Sequence, residues 1–572
     1  MSAVPLTQPA SDQSPATAPR AAGRGAGDAA GPERFDAVVV GAGFAGLYLL
    51  HRLRSRGLSV RVLDTATDVG GTWYWNRYPG ARCDVPSMEY SYSWSEELQQ
   101  EWRWSEVMSP QPEILAYAQH VADRFDLRRD IRFATTVVAA HFDEADDTWL
   151  VTTDSGEQLR ATFCIMATGA LSATNTPDLP GLDRFTGDVL HTGRWPKEPV
   201  DLRRRVAVLG TGSSGVQAIP VIAEAAEHLY VLQRTPTFTF PANNKPLRPD
   251  VQEAYKEHYD EVRQRQRHSV NGFSGWSPVQ AAPKKSSAGP RTSRPLLREL
   301  SAQERREAWE RYGFRTFDRF RDVYKDMDAN ELACELYRDH VRAVVRDPDV
   351  AERLLPKDYP LGCKRQVLDT GYYETFNRSN VTLVDLRTEP LVEITETGVR
   401  TAERHIELDV LVLATGFDAM TGSLARIDLR GRGGVALQQR WADGPRTYLG
   451  LQVAGFPNLF TVTGPGSPSV LSNVIVAIEQ HVEWIDDCIA HLRDRGAATI
   501  ETTEDAEQAW MDHVREVAEG TMYVAPGCSS WYLGANIPGK PRVFLPYVGG
   551  LGRYRARCDE IVANGYEGFV LR

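Results

Sequence analysis

Two stretches of the chain share one pattern: a short apolar run, a glycine-rich turn, and then apolar residues at helical spacing. Residues 38–40 and 206–209 are the apolar runs, and both are typical of buried parallel strands. In the first stretch, leucines within residues 47–53 mark the buried face of the helix that the pattern predicts. The glycines follow each run at G-x-G-x-x-G spacing and are Gly41, Gly43 and Gly46, then Gly210, Gly212 and Gly215.

This spacing predicts two dinucleotide sites. The first glycine permits a tight turn, the second lets a pyrophosphate approach the backbone, and the third allows close helix–strand packing. After the next predicted strand, the first copy has Asp64, placed to accept a ribose 2′-hydroxyl, whereas the second has Arg234 and Thr235, which suit a 2′-phosphate. The first site therefore suits FAD or NAD and the second suits NADP(H). A purely structural turn, and a solvated surface cation at Arg234, are the alternatives.

Two further apolar segments, at residues 163–170 and 409–418, contain Ala-Thr-Gly and are similar to the strands where two-dinucleotide flavoproteins cross between domains. The predicted fold class is α/β, with two Rossmann-type dinucleotide-binding domains for FAD and NADP and a helical insertion in the NADP domain. We place a disordered tail at residues 1–33, the FAD domain at 34–175 and 401–572, the NADP domain at 176–400, its helical insertion near 245–345, and a mobile Gly/Ser/Pro-rich loop at 271–295.

Composition limits the partners and the compartment. A length of 572 residues predicts two or three domains, and a formal net charge of -11 disfavours nucleic acid and anionic membranes, which call for a basic face. No apolar run approaches the roughly 20 residues that span a bilayer, and the N-terminal stretch lacks the apolar segment of a signal peptide, so we expect a cytoplasmic protein. The 7 cysteines include no C-x-x-C pair and no Cys/His cluster, which predicts reduced thiols and no metal site and disfavours a disulfide reductase. Nothing in the sequence predicts an oligomeric state.

The segment between the two glycine patterns carries Phe185, Gly187, His191, Trp195 and Pro196 at F-x-G-x-x-x-H-x-x-x-W-P spacing. This pattern resembles the fingerprint of the type I Baeyer–Villiger monooxygenases, and within that family the chain looks closest to the phenylacetone and steroid monooxygenases. Further segments that resemble the family are 70–93, 413–424, 444–451, 464–473, 479–484 and 529–544. The resemblance implies a linker that couples cofactor binding to domain movement, in which His191 is a hydrogen-bonded linker residue. A catalytic base is the alternative for His191.

The resemblance also implies the reaction. Family members use NADPH and O2 to insert an oxygen atom beside a ketone carbonyl, giving an ester or lactone through an FAD C4a-peroxide. It places Arg365 beside the peroxide anion and makes Asp84 the carboxylate that orients this arginine. Arginine suits the task because it keeps its proton at working pH. A purely structural Asp–Arg pair is the alternative.

The positions matched to cofactor contacts divide between the two sites. On the FAD side they are Gly41, Gly43, Phe44, Gly46, Asp64, Thr72, Trp73, Tyr74, Trp75, Arg82, Cys83, Tyr90, Val137 and Val474. On the NADP side they are Gly210, Thr211, Gly212, Ser213, Ser214, Gly215, Val216, Gln217, Arg234, Thr235, Lys364 and Trp531. By resemblance Lys364 pairs with the 2′-phosphate, and Trp531 closes over the nicotinamide half unless it is an ordinary core aromatic.

The substrate does not follow from these motifs, because similar family members accept aryl, steroid, cyclic or macrocyclic ketones. We expect a bulky cyclic or aryl ketone, with O2 as cosubstrate. Two other functions fit the same double dinucleotide plan: a flavin-dependent N- or S-oxygenase, and a flavin redox sensor that binds NADPH without oxygenating anything.

Overall fold

The computed structural model describes residues 31–278 and 294–572. Its strands are β1 (Glu33–Val40), β2 (Val60–Leu63), β3 (Ile131–Arg132), β4 (Val137–Asp143), β5 (Thr148–Thr153), β6 (Gln158–Met166), β7 (Asp188–His191), β8 (Arg205–Leu209), β9 (His228–Gln233), β10 (Thr239–Pro241), β11 (Val367–Asp369), β12 (Val381–Asp385), β13 (Leu391–Thr395), β14 (Gly398–Thr401), β15 (His405–Glu407), β16 (Val410–Leu413), β17 (Asp428–Arg430), β18 (Leu459–Thr461), β19 (Ile500–Thr502) and β20 (Phe569–Leu571).

Its α-helices are α1 (Phe44–Ser55), α2 (Thr72–Trp75), α3 (Glu96–Glu101), α4 (Gln111–Arg124), α5 (Ser213–Ala225), α6 (Pro249–Glu257), α7 (Tyr259–His268), α8 (Ala302–Tyr312), α9 (Thr316–Arg319), α10 (Met327–Val344), α11 (Pro348–Leu354), α12 (Tyr372–Thr375), α13 (Gly422–Ala425), α14 (Leu437–Arg440), α15 (Val474–Asp494), α16 (Glu504–Ala518) and α17 (Leu551–Ala563). Most of the predicted tail, residues 1–30, and residues 279–293 of the predicted loop lie outside the described residues.

The larger sheet has the order β17-β4-β5-β6-β1-β2-β3, with β18 also pairing with β6. β1 runs parallel to both β2 and β6, and Val38 and Val39 of β1 are completely buried on its two faces. Helices α1 and α15 cover one face, and the apolar cluster around Trp149 covers the other. An apolar run without alternation is what burial on both faces requires, as the sequence predicted for β1.

The smaller sheet has the order β12-β9-β8-β16-β7 and is parallel throughout. Helix α5 follows β8 directly, and its residues Val216, Ile219 and Ile222 are completely buried in the core of this unit. The chain is therefore α/β with two Rossmann-type units, as the sequence predicted.

The two glycine turns have nearly the same backbone. Gly41 and Gly210 both have a φ of +111°, a conformation that favours glycine. Gly43 (φ -77°, ψ -169°) and Gly212 (φ -78°, ψ -169°) each precede the first residue of a helix that has no side-chain cap. A Cβ added at Gly46 would lie 1.8 Å from the Gly41 carbonyl oxygen, so the third glycine allows close packing of helix against turn.

The chain crosses between the sheets twice, and the crossings support each other. The Asn175 amide donates to the Gly416 carbonyl (2.9 Å), and the Asp418 amide donates to the Ala173 carbonyl (2.8 Å). Because β16 lies in the smaller sheet and β17 in the larger, we propose that the return to the first domain follows β16, later than the limit near residue 401 that the sequence indicated.

Helices α6 to α11 fall in or close to the predicted helical insertion, and its first part packs against the FAD-side unit. Gln266 of α7 is completely buried and donates to the Glu89 carbonyl (3.1 Å). A Cβ at Gly552 of α17 would lie 2.6 Å from the His268 carbonyl oxygen, which shows how closely α7 and α17 approach. Among the described residues, no helix is long and apolar enough to cross a membrane.

The prediction of reduced thiols is wrong for two cysteines. Cys363 and Cys528 form a disulfide, although 165 residues separate them in sequence. The spacing of cysteines along a chain reports local pairs and metal motifs but not pairs that the fold brings together. Cys83, Cys164, Cys334, Cys488 and Cys558 are free and buried.

We expect Gly46→Ala to destabilise the protein by about 1–3 kcal/mol, because its methyl group forces the Gly41 turn to move. Gly212→Ala is the matched control: its Cβ has nothing within 4 Å, so stability should change by only about 0.5 kcal/mol. Chemical denaturation of both variants measures the difference. Equal stability of the two variants would contradict this account of the turn.

Candidate active site

A cavity of about 1390 Å³ lies where the carboxyl ends of β1, β6, β8 and β16 meet. Ligands of open α/β sheets bind at this edge. Predicted site residues that line it are Gly41, Gly43, Phe44, Asp64, Thr72, Trp73, Trp75, Arg82, Cys83, Asp84, Tyr90, Val137, Gly210, Thr211, Gly212, Ser213, Ser214, Gln217, Arg234, Thr235, Lys364, Arg365, Val474 and Trp531. Predicted residues that do not line it are Gly46, Tyr74, Gly215 and Val216, together with Phe185, Gly187, His191, Trp195 and Pro196.

The half of the cavity on the FAD side has polar groups that fit an adenine dinucleotide. Asp64 ends the β2 segment, and each of its carboxylate oxygens accepts one backbone amide, from Ala42 (2.5 Å) and Ala66 (2.7 Å). Burial raises the pKa of Asp64, and both oxygens keep lone pairs for ribose hydroxyls. The uncapped start of α1 adds unpaired backbone amides that suit a phosphate.

Aromatic side chains on α2 line the wall next to that half. Trp73 donates from its indole nitrogen to the Tyr90 hydroxyl (3.2 Å), and both side chains are buried. Tyr74 points elsewhere: its hydroxyl is 2.8 Å from the Thr67 hydroxyl, and its ring lies under the Lys197 ammonium at 4.9 Å. Tyr74 thus anchors the linker rather than the cavity wall.

The second half of the cavity presents two cations. Arg234 and Lys364 both line it, and among nearby carboxylates Asp358 attracts the Lys364 ammonium. Burial, followed by the nearby charge of Arg234, lowers the pKa of Lys364 to about 8. The Lys364 ammonium lies 4.1 Å from the centre of the Tyr359 ring. Two cations that repel each other across a site are suited to binding a doubly charged anion such as a 2′-phosphate.

A Cβ added at Gly212 would point into open space, unlike one at Gly46 or Gly215. The turn before α5 is therefore open on the side that a pyrophosphate would approach, and α5 has no side-chain cap. These residues fit NADP(H) by their geometry and charge.

Arg365 lies between the two halves. Its Nε (3.0 Å) and Nη2 (2.5 Å) both donate to Oδ2 of Asp84, and its Nη1 donates to the Val470 carbonyl (2.9 Å). The Asp84 carboxylate raises the pKa of Arg365 even though burial lowers it, and the nearby Tyr532 hydroxyl adds to the rise. One third of the side chain is exposed, and it lines the cavity, so a fixed positive charge faces the space between the two cofactor halves.

The fingerprint segment connects the two crossings. Nδ1 of His191 accepts from the Gly193 amide (2.9 Å), and its Nε2 lies 3.3 Å from both the Asn175 carbonyl and the Thr415 hydroxyl. Burial lowers the pKa of His191, so it stays neutral at pH 7. His191 contacts neither the cavity nor Arg365, which agrees with a linker histidine better than with a base.

The other fingerprint residues have packing roles. Phe185 packs against an apolar cluster that includes residues of β8, β16 and β13 to β15, and a Cβ at Gly187 would lie 2.4 Å from the Asp409 carbonyl oxygen. Trp195 is buried in the core of the smaller unit, and Pro196, which follows it, is half-buried. The mixed composition of this segment therefore reflects packing of Phe185, Gly187 and Trp195 on the smaller unit, while His191 contacts both crossings.

Gln217 has contacts that its predicted role did not include. Its side chain accepts from the Tyr78 hydroxyl (2.8 Å) and donates to the Arg82 carbonyl (3.2 Å). A Cβ at Gly80 would lie 2.3 Å from the Gln217 carbonyl oxygen. The start of α5 is thus docked on residues 78–82 of the FAD-side unit.

The sequence did not predict two contacts of Arg365, those with Val470 and Tyr532. Val470 contributes only a backbone carbonyl, which no residue type reveals, and Tyr532 follows the matched Trp531 without a pattern of its own. Trp531 packs partly buried against Ala419, Met420 and Leu545 at the second crossing, with one side on the cavity. Among the described residues no cluster of three metal-ligating side chains occurs.

Comparisons with known proteins agree with this geometry. A family profile for pyridine nucleotide-disulphide oxidoreductases matches residues 35–286. A Baeyer-Villiger monooxygenase of Pseudooceanicola batsensis is 42% identical over 94% of this chain and 96% of its own length. A phenazine N-monooxygenase of Lysobacter antibioticus is 41% identical over 94% of this chain and 97% of its own.

Two solved structures are similar over nearly the whole chain. An oxidized steroid monooxygenase bound to NADP is 50% identical, covers 94% of this chain and 99% of that one, and has a TM-score of 0.85. The enzyme called OTEMO, in complex with FAD and NADP, is 39% identical over 94% of this chain and 99% of that one, with a TM-score of 0.86.

We expect the dissociation constant for NADP⁺ to rise as the pH increases through about 8, because the Lys364 ammonium loses its proton there and with it the attraction to a 2′-phosphate. The dissociation constant should rise by up to about tenfold for each pH unit. NAD⁺, which lacks the phosphate, and the Lys364→Met variant should show no such step. Calorimetric titration from pH 7 to 9.5 measures this, and a flat NADP⁺ curve for the unaltered protein would contradict it.

Proposed function

The chain belongs to the type I Baeyer–Villiger monooxygenases, and from that membership we propose that its junction cavity oxidises a bulky cyclic or aryl ketone. The enzyme uses FAD, NADPH and O2 and forms an ester or lactone. The assignment of individual residues to that reaction, and the class of ketone, are our proposals.

One observation carries the assignment: a guanidinium that keeps its proton is held at the meeting point of the two cofactor halves. Asp84 takes two of its donors, Val470 takes a third, and the remaining surface faces the cavity. A charge that is already oriented stabilises negative charge that develops on the reacting oxygen atoms without further reorganisation. Arg365 is therefore the proposed catalytic residue, and Asp84 is its positioning residue.

Bound FAD would supply the redox chemistry: hydride uptake from NADPH and delivery of one atom of O2 to the substrate, with the other atom leaving as water. The chain's own task is to keep the developing charge close to Arg365 and away from acids. Because the pKa of Arg365 is raised, the guanidinium donates hydrogen bonds without releasing its proton. Burial keeps His191 neutral, and His191 does not line the cavity.

The proposed coenzyme contacts follow from the second half of the cavity. Arg234, Thr235 and Lys364 would hold the 2′-phosphate, and the turn at Gly210 and Gly212 would hold the pyrophosphate. Trp531, from its position at the second crossing, would cover the nicotinamide half. On the FAD side, Asp64 would bind the ribose and the aromatic wall of Trp73, Trp75 and Tyr90 would enclose the flavin.

The ketone class is inferred from the cavity wall and from similarity. Val470, just before α15, and Val474 and Ile478 of α15 add apolar side chains to the cavity wall. A similar protein at 50% identity is called a steroid monooxygenase, which favours a bulky substrate here. We also propose that the enzyme works in the cytoplasm, because NADPH is regenerated there.

N-oxygenation is the second candidate, because a phenazine N-monooxygenase is almost as similar as the Baeyer-Villiger relative. The two reactions differ in the charge and reactivity of the oxygen atom that attacks the substrate. Attack on a carbonyl requires an anionic oxygen nucleophile, whereas oxidation of nitrogen requires an electrophilic oxygen. The fixed positive charge of Arg365 favours the anionic form, and we therefore rank ketone oxidation first.

We expect Arg365→Ala to bind FAD and to be reduced by NADPH, but to form ester about 100 to 1,000 times more slowly, because one oriented charge is lost. Arg365→Lys should recover only part of the rate, since an ammonium cannot make the paired contact with Asp84. Arg203→Ala removes an arginine from an exposed surface pair with Asp201 and is the control. Product chromatography measures the rates, and near-normal ester formation by Arg365→Ala would contradict the assignment.

We expect aryl and steroid ketones to be converted with NADPH consumption, and tricyclic N-heteroaromatics such as phenazines to give no N-oxide, because Arg365 favours the nucleophilic oxygen. NADPH should also be used more efficiently than NADH. Chromatography with mass detection on both substrate sets separates the two functions. N-oxide formation without ester from any ketone would support the second candidate instead.

A further inference from the structure

The disulfide lies very close to the proposed catalytic and coenzyme residues. Cys363 is two positions before Arg365 and one before Lys364, and Cys528 is three positions before Trp531. The bond therefore joins the segment that carries both cations to the segment that carries Trp531 and Tyr532. The two segments are far apart in the chain, one before β11 and the other before α17, and the fold brings them together.

Both segments turn sharply beside the bond, and a backbone hydrogen bond closes each turn. The Cys363 amide donates to the Pro360 carbonyl (3.2 Å), and the Cys528 amide donates to the Ala525 carbonyl (3.1 Å). Gly362 and Gly527 have φ values of +87° and +78°, so the chain turns sharply just before each cysteine. The disulfide joins these two turns covalently.

The far end of the Trp531 segment is fixed independently. Asn536 donates to the Phe417 carbonyl (2.8 Å), and Lys540 forms an ion pair with Asp418. Both contacts are at the second crossing. The segment 528–545 therefore extends over the domain junction, held to the crossing at one end and to Cys363 at the other.

Between these attachments lie the groups that face the cavity. The Tyr532 hydroxyl is close enough to Arg365 to raise its pKa, and the rings of Trp531 and Tyr532 are 4.3 Å apart. Cys363 and Cys528 are completely buried, in the same core as Leu361, Leu533 and Phe544. Burial hinders attack by a soluble thiol, which allows the bond to persist in a reducing compartment.

We propose that Cys363 and Cys528 are positioning residues, whose disulfide fixes Arg365 and Lys364 relative to Trp531 and Tyr532. This proposal rests on the proposed function of Arg365. The bond keeps Trp531 over the coenzyme half while it keeps the Arg365 guanidinium aimed at the reacting atoms. Displacement of such a group by about 1 Å is enough to lower a rate about 100-fold.

The test compares Cys363→Ala, Cys528→Ala and the double variant with the unaltered protein. Alanine leaves no unpaired hydroxyl in the apolar core. Cys334→Ala is the matched control, because Cys334 is a free thiol that is equally buried in the same core. Peptide mapping of alkylated, unreduced protein first establishes that Cys363 and Cys528 are joined; recovery of both as free thiols would overturn the proposal.

Two readouts, taken at 15 °C so that all variants stay folded, separate positioning from simple stabilisation. We expect the dissociation constant for NADP⁺ to rise about tenfold, because the site loses preorganisation. We also expect the ester formed per NADPH to fall by about half or more, with hydrogen peroxide making up the difference. A lower unfolding temperature alone, with both readouts unchanged, would show a structural bond only and overturn the proposal.

Reversible reduction gives the same comparison without substitution. A phosphine breaks the S–S bond, is oxidised to its oxide with an oxygen atom from water, and leaves two thiols. The reduced protein should behave like the double variant, and reoxidation should restore both readouts. If the unaltered protein forms no ester from any ketone while the NADP⁺ readout still depends on the bond, the proposed function fails and the positioning role stands.

Discussion

The arrangement of the site depends on keeping one partly buried positive charge, that of Arg365, oriented without neutralising it. A guanidinium is costly to remove from water, and the Asp84 carboxylate offsets that cost at two of its donors. Both donors contact the same carboxylate oxygen, and the Val470 carbonyl fixes a third direction. The exposed third of the Arg365 side chain faces the cavity, so these contacts direct the positive charge towards it.

That requirement explains why the site lies at the junction of the two units. Asp84 belongs to the first pass through the FAD-side unit, Arg365 to the NADP-side unit, and Val470 and Tyr532 to the second pass through the FAD-side unit. The crossings at residues 167–175 and 414–420 hydrogen-bond to each other, and His191 contacts both. A change in the angle between the units would therefore move Arg365 relative to its partners.

The parts that could be predicted from sequence are those that local physics determines. The apolar runs of β1 and β8, the turns at Gly41 and Gly210, and the opposite charges of Asp64 and Arg234 each follow from a few adjacent residues. Resemblance supplied the pairing of Arg365 with Asp84, which are 281 positions apart and share no local signal.

The parts that sequence could not supply depend on the tertiary fold. The Cys363–Cys528 bond joins residues far apart in the chain, and cysteine spacing indicated free thiols instead. Gln217 lies inside a glycine-rich motif, yet its side chain holds Tyr78 and Arg82 of the other unit. The sequence of β16 indicated a strand of the first unit, but β16 pairs with β8 and β7. Strand partners are set by topology and not by the strand's own residues.

A single turnover with labelled oxygen tests the central claim most directly. The purified protein is reduced anaerobically with one equivalent of NADPH and then mixed with ¹⁸O2 and an aryl ketone, and the products are analysed by mass spectrometry. The account predicts about one ester per NADPH, carrying one ¹⁸O atom between the former carbonyl carbon and the migrated group. Consumption of NADPH with hydrogen peroxide as the sole oxygen product, whatever ketone is present, would contradict it and favour a redox sensor.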